Sequence, residues 1–187
     1  MAILLPISYL AGSVNFPVLL FRMLGRDDPR DHFSGNAGVT NVYRQAGLLW
    51  AGVILFLDLG RAFIVSGTAL YLLPTQYAPW IGLALILGNR FPCFHKFRGG
   101  KGVASYLGFT GLISPFAVIF SVLLWLGVYG IFRIPFVASF FMTVMLMAGT
   151  IIACGYDLAA TWGAIATALF IFYNHRQNAA ELFGRRA

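Results

Sequence analysis

Two polar segments of this chain carry the residue types needed to hold an anion. The first, residues 26–47, is built around Ser34-Gly35-Asn36-Ala37-Gly38-Val39-Thr40-Asn41, with Arg44 close behind. Glycines let backbone N–H groups approach an anion, the Ser, Thr and Asn side chains add donors, and Arg44 adds a planar charge. The competing reading is a hydrated turn leading into a membrane span at residue 47, capped by an Asn or Thr. The second segment, residues 89–102, ends Arg98-Gly99-Gly100-Lys101-Gly102 directly ahead of an apolar run. Backbone amides at a helix start, beside an ammonium, make a seat for phosphate. The spacing is not that of a P-loop, because Gly102 follows Lys101 where Ser or Thr is required. A loop that only orients the chain would also be basic, but orientation needs no glycine, and the crowding around Lys101 favours the seat.

Three further places carry chemistry. Asp58 and Arg61 are spaced i, i+3 within an apolar run, so they share a helical face and can pair. Charges at that depth cost about 2.5–3.5 kcal/mol each on insertion scales, and such groups face protein or a water-filled cavity. A pair that merely ties helices together is an equal rival to a functional one. His175, in the tail Asn174-His175-Arg176-Gln177-Asn178, titrates near neutrality when unperturbed and is a candidate acid, base or phosphate donor. Ser139 lies early in a later apolar run, where serines more often bond to backbone than react. His32, His95 and His175 fall in separate segments without metal-ligand spacing, so neither metal nor other cofactor is expected.

The elements that must position these groups are membrane helices. Of 187 residues, 59% are hydrophobic and 10% charged, against about 25% charged in a soluble domain. The net charge of +7 comes from basic residues set between apolar runs, a pattern that points to topology and anionic ligands, with no nucleic-acid partner. Seven spans are expected near 2–24, 47–73, 77–91, 102–113, 115–132, 135–155 and 158–173. A spanning helix needs about 20 residues, so the third and fourth are short and must tilt, reach the interface, or pair as a re-entrant hairpin in a five-span alternative. Pro74, Pro115 and Pro135 fall where helices should stop or start.

With the N-terminus outside, the inner face holds Arg22, Arg26, Arg30, Arg44, Arg90, Lys96, Arg98, Lys101, Arg133, Arg176, Arg185 and Arg186; of the thirteen Lys and Arg only Arg61 is within a span. The outer connections near 74–76, 114 and 154–157 hold none, an asymmetry that orients the chain with a cytoplasmic C-terminus. No basic residue precedes Arg22, so residues 2–24 are expected to be a retained span and not a cleaved leader. Cys93 and Cys154 are expected at opposite faces and unbridged. No repeat or linker divides the chain, and a single domain over 1–187 is expected, with its oligomeric state open.

Ser34-Gly35-Asn36 with Gly38, Thr40 and Asn41, then Asp58-x-x-Arg61, then Phe91-Pro92 with Phe97-Arg98-Gly99-Gly100-Lys101-Gly102-Val103-Ala104, then His175-Arg176-x-Asn178, resemble the bacterial PlsY family in order and spacing over nearly the whole chain. The resemblance implies a multi-pass inner-membrane acyltransferase with seven spans. Such an enzyme moves an acyl chain from acyl phosphate to the 1-hydroxyl of sn-glycerol 3-phosphate, giving lysophosphatidic acid and phosphate. It further implies a catalytic set of Ser34, Arg44, Lys101 and His175. Asn36, Gly38, Thr40, Asn41, Arg98, Gly99, Gly100, Gly102, Ser139 and Asn178 would bind substrate. The chain departs from the family pattern at Asn89, Arg61, Ala62, Phe136, Ala138 and Glu181. A relative that binds anionic lipid or phosphate without acyl transfer, and a small anion transporter, are the alternative readings.

Overall fold

The computed structural model describes residues 1–184; Arg185 and Arg186, counted above with the inner-face cations, lie outside the described residues. Among the described residues the regular structure is helical throughout. In order the helices are α1 (Leu4–Ser13), α2 (Phe16–Met23), α3 (Val39–Leu72), α4 (Ala78–Arg90), α5 (Val103–Ile113), α6 (Pro115–Phe132), α7 (Pro135–Ala153), α8 (Leu158–Asn174) and α9 (Arg176–Gly184), with 3-10 turns at Pro29–Asp31 and Thr75–Tyr77. By length and apolar content, Leu4–Met23, Val39–Leu72, Pro115–Phe132 and Pro135–Ala153 can each cross a membrane. Pro115 and Pro135 open α6 and α7, where a missing N–H costs nothing.

Two expected spans differ in detail. The first is broken: Val14 and Asn15 are extended, and the Asn15 side chain accepts from Val18 N to start α2. The second begins at Val39, eight residues before the expected 47, and bends at Gly47, whose φ of 84° suits a residue without Cβ. Its N-cap is Gly38 with no side-chain cap bond, so the Asn or Thr cap of the competing turn reading is absent. Thr40 and Asn41 lie inside the helix because nothing between Val39 and Ala46 interrupts it.

Close helix approach depends on glycine. A Cβ on Gly12 would fall 2.0 Å from Leu85 O, and one on Gly88 2.0 Å from Tyr9 O, so α1 and α4 touch backbone to backbone. Gly108 brings α5 against Leu59 of α3 in the same way, with 2.7 Å to its carbonyl. Between these helices lies the intramembrane pair, with Arg61 Nη2 2.8 Å from Asp58 Oδ1 and both side chains buried.

The chain turns gather at two ends. At one, Trp80 Nε1 donates to Ala159 O at 2.9 Å, and the Cys154 thiol faces Thr75 O. At the other, residues 24–38, 91–102 and the α8–α9 junction meet. Cys93 and Cys154 are both free.

Candidate active site

The two sequence segments singled out above are bolted together. Arg30, buried at 7% exposure, is the bolt. Its guanidinium pairs with Asp28 at 2.5 Å, while Nη1 donates to His95 O and Arg98 O, each at 2.6 Å. The pairing holds the Asp28 carboxyl below its ordinary pKa, and burial, aided by the Arg30 charge, lowers that of His95. Asn41 Nδ2 donates to Pro29 O (2.7 Å), Asn36 O (2.8 Å) and His32 O (3.3 Å), closing the first loop on itself. Ala37 N then donates to Gly99 O at 3.3 Å, and Gly100 N to Asn89 O at 3.0 Å.

The glycines around Lys101 have a packing reason that sequence reasoning read as purely chemical. A Cβ on Gly99 would stand 2.0 Å from Asn89 O, and one on Gly100 2.9 Å from Asn89 Nδ2. Gly102 caps α5 at φ 92° against Ile86. The loop can lie on the end of α4 only without side chains at these positions.

Between the loops opens a cavity of about 210 Å³ lined by Ser34, Gly35, Asn36, Arg90, Arg98, Gly99, Lys101, Asn174 and Gln177. Its wall is polar and holds three basic side chains. Asn36 Nδ2 donates to Ser34 Oγ at 2.9 Å and to Ser34 O at 3.1 Å, orienting the serine. Lys101 Nζ donates to Asn178 Oδ1, and Asn174 Nδ2 to Lys101 O at 3.3 Å, so the end of α8 and start of α9 close over the loop. Desolvation first, then the neighbouring Arg90 charge, lowers Lys101 to about 8.

The structure brings Ser34, Asn36, Arg98, Gly99 and Lys101 together and joins Asn178 to them through Lys101. Other expected site residues are placed differently. Arg44 is exposed and lines a neighbouring cavity of about 440 Å³ with Phe21, Gly25, Arg26, Asp27, His32, Phe33 and Gln45. Thr40 points to the exterior, and Gly38 serves as the α3 cap, packed close to Asn36 Oδ1. Asn41 is 1% exposed and spends its amide N–H groups on the loop. Gly100 and Gly102 are buried packing positions and not cavity wall. Ser139 is buried, donating to Pro135 O at 2.9 Å and accepting from Trp125 Nε1 at 3.3 Å.

His175 is the largest departure. Its ring is 4% exposed, packs edge-on against Phe140, and places Nδ1 2.9 Å from Ile171 O. A carbonyl only accepts, so Nδ1 carries the proton and Nε2 keeps a lone pair. Burial pushes the group down to about 4, against a smaller opposing effect of the Ile171 carbonyl, so the ring is neutral at pH 7. A neutral ring of this tautomer has no Nε2–H to offer phosphate.

Arg90, Asn174 and Gln177 line the cavity, and Arg30 builds it, yet none was expected as a site residue. Arg90 and Arg30 read only as orienting cations. Asn174, Gln177 and Asn178 do follow i, i+3, i+4 spacing, a signal that could have grouped them.

A helical membrane bundle with a basic, polar cavity at one end defines an integral membrane protein suited to holding small anions. The family described as glycerol-3-phosphate acyltransferase matches residues 2–185. A glycerol-3-phosphate acyltransferase of Aquifex aeolicus is 35% identical over 181 residues, covering 96% of this chain and 93% of that protein. One from Pseudomonas paraeruginosa is also 35% identical over 181 residues, covering 96% and 94%. The crystal structure of PlsY (YgiH), an integral membrane glycerol 3-phosphate acyltransferase, in its glycerol 3-phosphate form, superposes with a TM-score of 0.91 at 34% identity, covering 99% of this chain and 92% of that one. The lysophosphatidic acid form gives 0.88 at 33% identity, with the same coverage. This chain belongs to the PlsY family of glycerol-3-phosphate acyltransferases and is a multi-pass integral membrane protein.

Proposed function

We propose that this chain transfers an acyl group from acyl phosphate to the 1-hydroxyl of sn-glycerol 3-phosphate, releasing lysophosphatidic acid and phosphate. The observation that carries the reading is the cavity wall itself, where Arg90, Arg98 and Lys101 converge beside Ser34. The glycerol phosphate takes its phosphate to these three cations. The hydroxyl oxygen attacks the acyl carbonyl, a C–O ester bond forms, and the acyl–phosphate C–O bond breaks. The hydroxyl proton passes to a phosphate oxygen of the acceptor. Acyl phosphate already carries a good leaving group, so no protein nucleophile is required. Arg44, fixed at the donor's phosphate, offsets charge developing there as that phosphate departs. Ser34, held by Asn36, donates its hydroxyl proton to a reacting oxygen. His175, buried against Phe140 and outside the cavity lining, supports from behind the α8–α9 turn that carries Asn174, Gln177 and Asn178. Arg44, in the second cavity beside Phe21 and Phe33, meets the phosphate of the amphiphilic donor.

The same reading includes one domain of seven spans in a bacterial inner membrane, with the N-terminus outside and the cavity and C-terminus at the cytoplasmic face. The distribution of Lys and Arg supports this orientation. A membrane-impermeant thiol reagent applied to sealed, outside-out vesicles tests it: Cys154 is labelled and Cys93 protected, and the reverse pattern overturns the orientation.

For the activity, the purified protein in detergent or lipid releases phosphate from acyl phosphate only when glycerol 3-phosphate is present, with lysophosphatidic acid formed in equal amount. Lys101→Ala abolishes this. Binding of the anions without product, flux of glycerol 3-phosphate into vesicles without chemistry, or robust turnover by Lys101→Ala overturns the reading.

A further inference from the structure

Arg61 does more than pair with Asp58. Nη2 donates to Asp58 Oδ1 at 2.8 Å, to Ser105 Oγ at 3.1 Å and to Asn89 Oδ1 at 3.4 Å. Nη1 donates to the carbonyls of Ala11 (3.3 Å), Gly12 (3.2 Å) and Val14, at the break between α1 and α2. The Phe16 ring lies 5.1 Å from the guanidinium carbon. One side chain from the middle of α3 thus reaches four other stretches of chain: the α1–α2 break, Phe16, the end of α4 and the start of α5.

Two of these contacts have a shared consequence. Asn89 is in the last turn of α4, and Ser105 is in the first turn of α5. They are the two stems of the loop 91–102, which supplies Arg98, Gly99 and Lys101 to the cavity wall. Asn89 also receives Gly100 N–H on its main-chain oxygen at 3.0 Å. The loop therefore hangs between two buried residues that meet on one guanidinium. A planar fork with several fixed donors sets the separation of its acceptors as well as their distance, which a point charge does not.

We propose that Arg61 is a positioning residue for acyl transfer, clamping Asn89 and Ser105 so that the loop between them presents Arg98 and Lys101 to a phosphate. This deepens the acyltransferase reading and rests on it. A helix tie would need only Asp58. The clamp makes affinity for the phosphate-bearing acceptor depend on Ser105 and Asn89, neither of which lines the cavity.

The test is binding of glycerol 3-phosphate to the detergent-solubilised full chain by calorimetry, with KM, kcat and thermal unfolding measured on the same samples. Ser105→Ala and Asn89→Ala each weaken binding about tenfold, the effect of losing one hydrogen bond to a buried charge. KM for glycerol 3-phosphate rises with it, kcat at saturation changes less, and the unfolding midpoint of Ser105→Ala stays near that of the wild type. Ser105→Thr, which keeps a hydroxyl, retains most of the affinity. In an Arg61→Gln background the further change Ser105→Ala adds little, because both remove the same contact. If Arg61→Gln does not fold, the contrast between Ser105→Ala and Ser105→Thr decides. Unchanged binding in Ser105→Ala, a loss that only tracks the unfolded fraction, or full additivity with Arg61→Gln overturns the clamp. Absence of glycerol 3-phosphate binding in the wild type overturns the acyltransferase reading and the clamp with it; wild-type binding with an unaltered Ser105→Ala overturns the clamp alone.

Discussion

Replacing Gly99 with alanine sets a methyl group against the main chain at the end of α4. Its Cβ would lie 2.0 Å from Asn89 O, 2.8 Å from Pro92 Cδ and 3.1 Å from Arg90 O, where ordinary contact begins at 3.4 Å. Relief of the worst overlap needs a shift of about 1.4 Å, the difference between 3.4 and 2.0 Å. Neither side yields easily. Asn89 O holds Gly100 N, Gly99 O receives Ala37 N, and Arg90 is itself cavity wall. The loop must therefore move by more than 1 Å beside Arg98 and Lys101, and a misplacement of about 1 Å costs on the order of 10²-fold in rate. Overpacking adds about 1–3 kcal/mol of destabilisation, so activity is compared at equal folded fraction, judged by thermal unfolding. The assay is phosphate release from acyl phosphate in the presence of glycerol 3-phosphate. Gly127→Ala, on α6 where a new Cβ meets nothing within 4 Å, is the control and retains wild-type activity. Gly99→Ala with turnover close to wild type refutes the packing argument for this loop.

Lys101 is depressed to about 8 by desolvation and by Arg90, so its charge is present below that pH and lost above it. KM for glycerol 3-phosphate, followed by steady-state kinetics from neutral to alkaline pH, therefore rises above about pH 8, and Lys101→Arg, whose guanidinium stays charged, removes that limb where it remains active. Arg30→Ala leaves Asp28 without its partner and frees the carbonyls of His95 and Arg98. Unfolding measurements should show a loss of about 1–3 kcal/mol, mainly from the carbonyls left without a donor, and Arg30→Lys should not restore it, since an ammonium cannot reproduce the fork. Arg44→Ala alters the second cavity and not the first, so KM for acyl phosphate rises in kinetic assays while calorimetric affinity for glycerol 3-phosphate changes little.

Membrane residence, the approximate helices and the two polar, glycine-rich segments that wall one cavity were legible in the amino-acid order, because apolar run length, charge placement and glycine crowding are local properties. The break at Val14–Asn15 and the early start of α3 at Val39 were not. Both depend on what distant chain packs against them, as the Arg61 contacts with Ala11, Gly12 and Val14 illustrate. The cavity wall was half legible. Ser34, Asn36, Arg98, Gly99 and Lys101 could be chosen by residue type, whereas Arg90, Asn174 and Gln177 join them only through contacts such as Arg30 to His95, 65 residues apart, and Lys101 to Asn178, 77 apart. Composition and order decided that the chain lies in a membrane and carries basic, glycine-rich loops. Tertiary packing alone decided which cations face one cavity, that His175 is buried and neutral, and that Arg61 reaches both stems of a loop, because separations between side chains far apart in sequence are set by how the helices pack.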